Sequence, residues 1–222
     1  MLIIDKVLTS PQVKQIREVL EQSRFEDGKA TAGALIRKTK NNLQADTNEG
    51  ALATAAQTVL TALVGNEAFR EHAIPRRILP PFFNRYDTGM YYGNHVDNAI
   101  MGGNEPMRAD ISISVFLSDP GDYDGGELLI GGDNGTVSVK PGSGSAVIYS
   151  SSTIHRVAPV TRGTRYAAIS WVQSLVREYE QRAILSELSE LGRWAHQSSP
   201  GSPEPVRITR LRVNLMRMWA EP

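Results

Sequence analysis

Apolar positions recur along this chain with two different periods, and the changes of period divide it. Val13, Ile16, Val19 and Leu20 share one helical face behind Ser10-Pro11, which reads as an N-cap followed by proline at the first helical position. Leu52, Ala56, Val59, Leu60 and Leu63 predict a second helix over 49–70. Between them 27–43 is mixed, with Gly28 and Gly33 as turn signals, and an edge hairpin is expected. From Arg77 to Gln173 the pattern changes to short β runs. Ile111, Ile113, Val115 and Leu117 alternate with Ser112, Ser114, Phe116 and Ser118. Further strands are expected over 78–86, 127–130, 136–139, 145–149, 155–160 and 165–173, with turn clusters at 122–126, 131–135 and 141–144. Strands at this spacing predict a jelly roll, and with the helices an α+β class. Helical spacing returns over 176–196, with Leu185, Leu188, Leu191 and Trp194 as its stripe. A Ser/Pro/Gly linker at 198–205 precedes Ile208, Leu211, Leu215 and Met218, a short helix expected to dock on the body or on a second subunit. Three regions follow: 1–76 as helical and hairpin support, 77–175 as the jelly-roll domain, and 176–222 as a helical extension.

Composition narrows the function classes. A chain of 222 residues buries roughly 70% of its unfolded surface and needs no staples. Twenty-four basic and twenty-four acidic residues cancel, so no overall field recruits nucleic acid or membrane. With no cysteine, disulfides, thiolate metal sites and a catalytic thiol are excluded. No run approaches a membrane span and Met1–Val7 is too short and charged for a signal-peptide core, so the cytoplasm is the expected compartment.

Chemistry concentrates at His95, Asp97 and His155. Two imidazoles and one carboxylate form the ligand set of non-haem Fe(II) oxygenases, with metal positions left open. His95 and Asp97, two apart in an extended segment, can reach one ion, and His155 comes to it from another strand. The other histidines, His72 and His196, lie in helical polar contexts and are expected at the surface. Arg165 is the expected partner of a dicarboxylate's far end. Its rivals are weaker: Arg162 lies in a turn and Arg156 points away from its neighbour His155. Small Ala167, on the face of Arg165, leaves room for a bound acid. The loop 98–108 directly follows two of the ligands and reads either as a lid or as a plain connection. Lys29, Lys40, Asn41, Asn42 and Gln44 could line the entrance of the site, but a solvated hairpin face is the expected placement. Arg207, Arg210, Arg212 and Arg217 make the last helix basic, but no aromatic platform accompanies them, so nucleic acid is not an expected partner.

These residues resemble a known family. His95-Val96-Asp97, His155 and Arg165 are similar to the pattern of Fe(II)/2-oxoglutarate dioxygenases of the prolyl-hydroxylase type. Asn84-Arg85-Tyr86, Gly93 to Ala99, Tyr123 to Leu128, Pro159 to Gly163, Asp27 to Gly33 and Lys40 to Gln44 resemble, more narrowly, the bacterial PKHD-type hydroxylases. The resemblance covers nearly the whole chain. It implies a double-stranded β-helix with flanking N-terminal and C-terminal helices. It implies Fe(2+) on His95, Asp97 and His155, and 2-oxoglutarate on Arg165, with Tyr86 or Tyr92 as an assisting group. It also implies L-ascorbate as a reductant and a link to iron homeostasis. The expected reaction converts 2-oxoglutarate to succinate and carbon dioxide while hydroxylating an unidentified small-molecule or peptide substrate. A non-catalytic iron-sensing module and a zinc hydrolase are the alternatives. Apart from the resemblance, the C-terminal tail leaves a homodimer open, since it docks either on the body or on a second subunit.

Overall fold

The computed structural model describes residues 1–31, 37–46, 50–132 and 135–221. The turn signal Gly33 and part of the 131–135 turn cluster lie outside the described residues. Strand β1 (Leu2–Ile4) precedes helix α1 (Ser10–Gln22). The N-cap of α1 is Thr9 rather than Ser10: the Thr9 side chain accepts from the Gln12 backbone while Gln12 Oε1 accepts from the Thr9 N–H, a reciprocal capping box. Strands β2 (Phe25–Asp27), β3 (Lys40–Asn41) and β4 (Leu43–Ala45) follow. The region expected as one helix is two, α2 (Gly50–Gly65) and α3 (Glu67–Ala73), because Asn66 caps a new start by accepting from the Phe69 N–H. The expected strand 78–86 is likewise two, β5 (Pro75–Ile78) and β6 (Phe82–Tyr86), divided at Pro80-Pro81, which cannot donate to a ladder.

The remaining strands are β7 (Tyr91–His95), β8 (Ile100–Met101), β9 (Met107–Arg108), β10 (Ile111–Phe116), β11 (Tyr123–Gly125) and β12 (Leu128–Gly132). They continue with β13 (Gly135–Val139), β14 (Ala146–Ser150), β15 (His155–Val157), β16 (Val160–Gly163) and β17 (Arg165–Ser174). Pro159 splits the expected 155–160 strand, and the 122–126 cluster is partly strand. Helices α4 (Tyr179–Ser198) and α5 (Glu204–Trp219) close the chain.

Two antiparallel sheets make the roll. The larger runs β1-β14-β10-β17-β6-β4-β2, with β5 also on β17; the smaller runs β13-β12-β15-β7-β3. The expected hairpin is the pair β2–β4 at the end of the larger sheet, while β3, between them in the chain, crosses to the smaller one. Strand β10 is buried at every position because both of its faces are covered. Ile111, Ile113 and Val115 join Val13, Ile16, Leu20 and Val59 in the core under α1 and α2. The opposite face holds Ser112, Ser114 and Phe116, and Phe116 packs with Leu128, Ile130 and Val157 of the smaller sheet. Each fully buried aliphatic side chain contributes roughly 1.5–3 kcal/mol, so the helix-side core clamps the sheet whose other face carries the chemistry.

The C-terminal stripes differ from expectation. Helix α4 buries Arg182, Leu185, Ser189 and Ala195, whereas Leu191 and Trp194 are exposed. Arg182 explains the shift: its guanidinium donates to the carbonyls of Val176 and Arg177, turning that side of the helix inward. Leu211 and Met218 of α5 also face outward, while Leu215, Met216 and Trp219 pack on Ile74, Val176 and Leu185.

Candidate active site

The two sheets enclose a cavity of about 430 Å³, and the smaller sheet brings two of the candidate ligands to it. His95 ends β7 and His155 opens β15, and the two are directly opposed in that antiparallel pair, with ring centroids 4.1 Å apart. Asp97 follows two residues after His95. One ligand atom from each of His95, Asp97 and His155 lies within 4.8 Å of the others, and His155 Nε2 is 3.8 Å from Asp97 Oδ2.

The surroundings set the protonation of this group. His95 Nδ1 is 2.8 Å from the Gly93 carbonyl and His155 Nδ1 is 2.9 Å from the Thr153 carbonyl. A carbonyl only accepts, so each Nδ1 carries a proton and Nε2 is the nitrogen each ring turns toward the group. Burial first, and the neighbouring His155 second, hold the His95 pKa below its ordinary value, so this ring is neutral near pH 7. Ser112 Oγ donates to Asp97 Oδ2 at 2.5 Å, and with that proton committed Ser151 Oγ donates to Ser112 at 2.8 Å. Two imidazoles offering Nε2 and an oriented carboxylate fit a divalent first-row metal.

Arg165 opens β17 at the inner end of the cavity, directly opposite Tyr86 of β6. Gly163 makes the turn into β17 with φ of +73°, and a Cβ there would lie 2.1 Å from the Asp122 carbonyl, so only glycine delivers Arg165 to this place. Arg165 is 1% exposed, and its Nε and Nη1 have no hydrogen-bond partner among the described residues. Its guanidinium carbon lies 5.2 Å from the Tyr86 ring centroid and 4.8 Å from that of Phe116. A buried cation with unused donors costs several kcal/mol unless an anion completes it. Arg156 and Arg162 are both exposed, and Arg162 ends in strand β16, paired with Asp124, rather than in a turn.

The two candidate tyrosines separate. Tyr86 faces Arg165, and burial pushes its hydroxyl up to about 12, so it stays protonated as a donor. Tyr92 instead stacks on His95 with centroids 3.6 Å apart. Tyr149, read only as part of a strand, also lines the cavity, with its ring 4.9 Å from that of His155 and its hydroxyl held protonated by burial. Its signal was the alternation itself, which places it opposite Ser112 on the inner face.

Three expectations are corrected. Lys40, Asn42 and Gln44 are not on a solvated face: they are 5%, 2% and 9% exposed, and Lys40 and Gln44 line the cavity, the other placement open to them. His72 is partly buried rather than a surface residue; burial first, then the N-terminal ammonium and Arg182, lower its pKa to about 4. The 98–108 segment is neither featureless loop nor simple connection but contains the β8–β9 hairpin, with Met107 buried beside Ala109 and Trp171.

Comparison with known proteins places this geometry. Residues 81–173 match the family model of the 2OG-Fe(II) oxygenase superfamily. The whole chain is similar to a PKHD-type hydroxylase of Xanthomonas campestris pv. campestris (strain B100), 44% identical with 98% of each chain covered. Among solved structures, its fold resembles a viral collagen prolyl hydroxylase from Paramecium Bursaria Chlorella virus-1 in complex with 2OG. That match has a TM-score of 0.55, 20% identity, and covers 78% of this chain and 95% of the other. It also resembles a Trichoplax adhaerens prolyl hydroxylase bound to a hypoxia-inducible-factor peptide, with a TM-score of 0.54, 17% identity, and 82% and 86% covered.

Proposed function

This chain belongs to the PKHD-type hydroxylases, and we propose that it hydroxylates its substrate while converting 2-oxoglutarate to succinate and carbon dioxide. In this reading His95, Asp97 and His155 hold Fe(II), and Arg165 takes the far carboxylate of 2-oxoglutarate. The observation that carries it is Arg165, a guanidinium buried at the inner end of the cavity with donors left over. Iron sensing or hydrolysis at zinc has no use for that cation.

Fe(II) with 2-oxoglutarate supplies the reducing equivalents that activate dioxygen; the chain's residues arrange everything else. The Nδ1 protons on the Gly93 and Thr153 carbonyls present both Nε2 atoms as ligands. Ser112, backed by Ser151, fixes the Asp97 carboxylate and leaves its other oxygen free. Arg165 binds the dicarboxylate by charge-assisted hydrogen bonds, each worth roughly 1.5–3 kcal/mol, and Tyr86 adds a protonated hydroxyl beside it. Phe82, Ile169 and Trp171 keep the outer part of the cavity largely apolar.

The direct test is anaerobic titration of the Fe(II)-loaded protein with 2-oxoglutarate. A visible charge-transfer band, followed by succinate release on admitting oxygen, is expected. Tight zinc binding without that band would favour the hydrolase, and a band without succinate would favour the sensor. Two further parts of the reading rest on the family, ascorbate as reductant and a role in iron homeostasis, while a cytoplasmic homodimer is proposed from the chain's own segments. They predict longer-lived turnover with ascorbate, induction on iron limitation, and twice the chain mass by light scattering.

A further inference from the structure

We propose that the substrate of this site carries an alkylammonium group next to an N–H donor, held by Glu26 and Asn84; the inference rests on the reading of the site as a 2-oxoglutarate-dependent hydroxylase. Glu26 on β2 is directly opposite Gln44 on β4, Gln44 opposite Asn84 on β6, and Asn84 opposite Ala167 on β17. Directly opposed residues project from the same face. One polar row therefore runs from the free edge of the larger sheet into the cavity, and Glu26, Gln44 and Asn84 all line it.

Both ends of this row have capacity to spare. Asn84 is 5% exposed, and its Oδ1 has no partner among the described residues. A buried carbonyl oxygen left this way is completed by a donor from a ligand. Ala167 beside it adds no bulk. Glu26 makes no ion pair among the described residues, whereas Asp27 has Lys29 at 3.9 Å. Lys40 is the lysine lining the cavity, and it lies on the opposite wall within the attraction of Asp27 and Asp97. At the mouth Glu26 therefore presents a carboxylate with no ion pair among the described residues, which favours a cationic group beside it. Phe82, Ile169 and Trp171 provide an apolar wall suited to a methylene chain. An N–H on Asn84 and an ammonium toward Glu26 would lay that chain along the wall. In the hydroxylation one atom of dioxygen enters a C–H bond of the chain as C–OH, and the other ends in succinate.

The test uses the anaerobic Fe(II)-loaded protein saturated with 2-oxoglutarate, titrated with Nα-acetyl-lysinamide, 1,5-diaminopentane and the neutral Nα-acetyl-norleucinamide. Calorimetry and perturbation of the visible band read binding, and mass spectrometry after oxygen is admitted reads the gain of one oxygen. The better ammonium probe is expected to bind roughly tenfold tighter than norleucinamide. Glu26→Gln should reduce that preference to about threefold or less, and Asn84→Leu should weaken the amide-bearing probes about fivefold. Lysinamide binding better than the diamine points to a basic peptide side chain, and the reverse points to a free amine; both support the proposal. Equal or tighter binding of norleucinamide, a preference that survives Glu26→Gln, or no binding by either ammonium probe would overturn it. A protein with no 2-oxoglutarate band overturns the underlying reading as well, whereas a normal band without ammonium preference overturns this inference alone.

Discussion

At the inner end of the cavity Arg165 and Tyr86 are each 1% exposed, while at the mouth the Asp27 side chain is 64% exposed. Both ends are built on the same sheet, three strands apart. The inner end lies between β17 and β6, in the middle of the larger sheet, and is covered by the smaller one. The mouth lies on β2, at its edge. A central position lets the fold hold an uncompensated cation in place, ready for one acid. An edge position keeps carboxylates hydrated, where each adds little energy but shapes the field. Co-substrate binding is thus expected to depend steeply on single residues, and substrate choice to depend on several weak ones.

The largest effect should come from Asp97→Ala, which removes the one anionic side chain of the proposed metal group. Succinate formation is expected to fall to background, with metal content reduced; a well-folded variant turning over normally would remove the basis for separating the two ends. Next is Arg165→Met. The KM for 2-oxoglutarate should rise about 100-fold, since a buried charged contact is lost. The metal-free protein should nonetheless become more stable, by about 1–2 kcal/mol, because an unpaired buried guanidinium goes with it. Opposite signs in kinetics and in thermal melting mark a cation placed for a ligand. If stability falls as well, Arg165 is holding the fold together.

Ser112→Ala should act more gently. It leaves all three ligands but frees Asp97 to rotate, so metal affinity is expected to drop about tenfold in a competitive chelator titration, with the KM for 2-oxoglutarate little changed. The smallest effect provides a control away from both ends. The His72 pKa is about 4 in the folded chain against an ordinary 6.5, so the unfolded chain binds the proton more readily. The stability linked to a neutral His72 is complete above pH 6.5 and is lost as pH falls from there towards 4. Chemical denaturation at pH 5 should show a deficit of about 2 kcal/mol against pH 7, diminished in His72→Gln. An undiminished deficit would trace acid sensitivity to the cavity instead.

The linear chain carried much of this. Residue chemistry named the triad, because imidazole and carboxylate at His95, Asp97 and His155 have few other uses in such a pattern. Arg165 stood out from Arg156 by strand phase, whereas Arg162 reads as a turn residue and lies instead in β16. The helices and the alternation of β10 were legible because burial of one face imposes a period. What misled were local breaks and the identity of the buried face. The Asn66 cap and the Pro80-Pro81 and Pro159 interruptions divide elements whose apolar patterns look continuous. Leu191 and Trp194 face water because Arg182 finds carbonyl partners on the inner side, which a hydrophobic stripe does not reveal.

Ligand types, the alternating strands and the favoured cation for a dicarboxylate are intrinsic to the order of residues, since they rest on side-chain chemistry and on near neighbours. Strand pairing decided the rest. Lys40, Gln44 and Asn84 are ordinary polar residues in the chain. They became cavity walls only when β3 joined one sheet and β4 and β6 the other, because burial depends on what lies across the roll, tens of residues away in sequence.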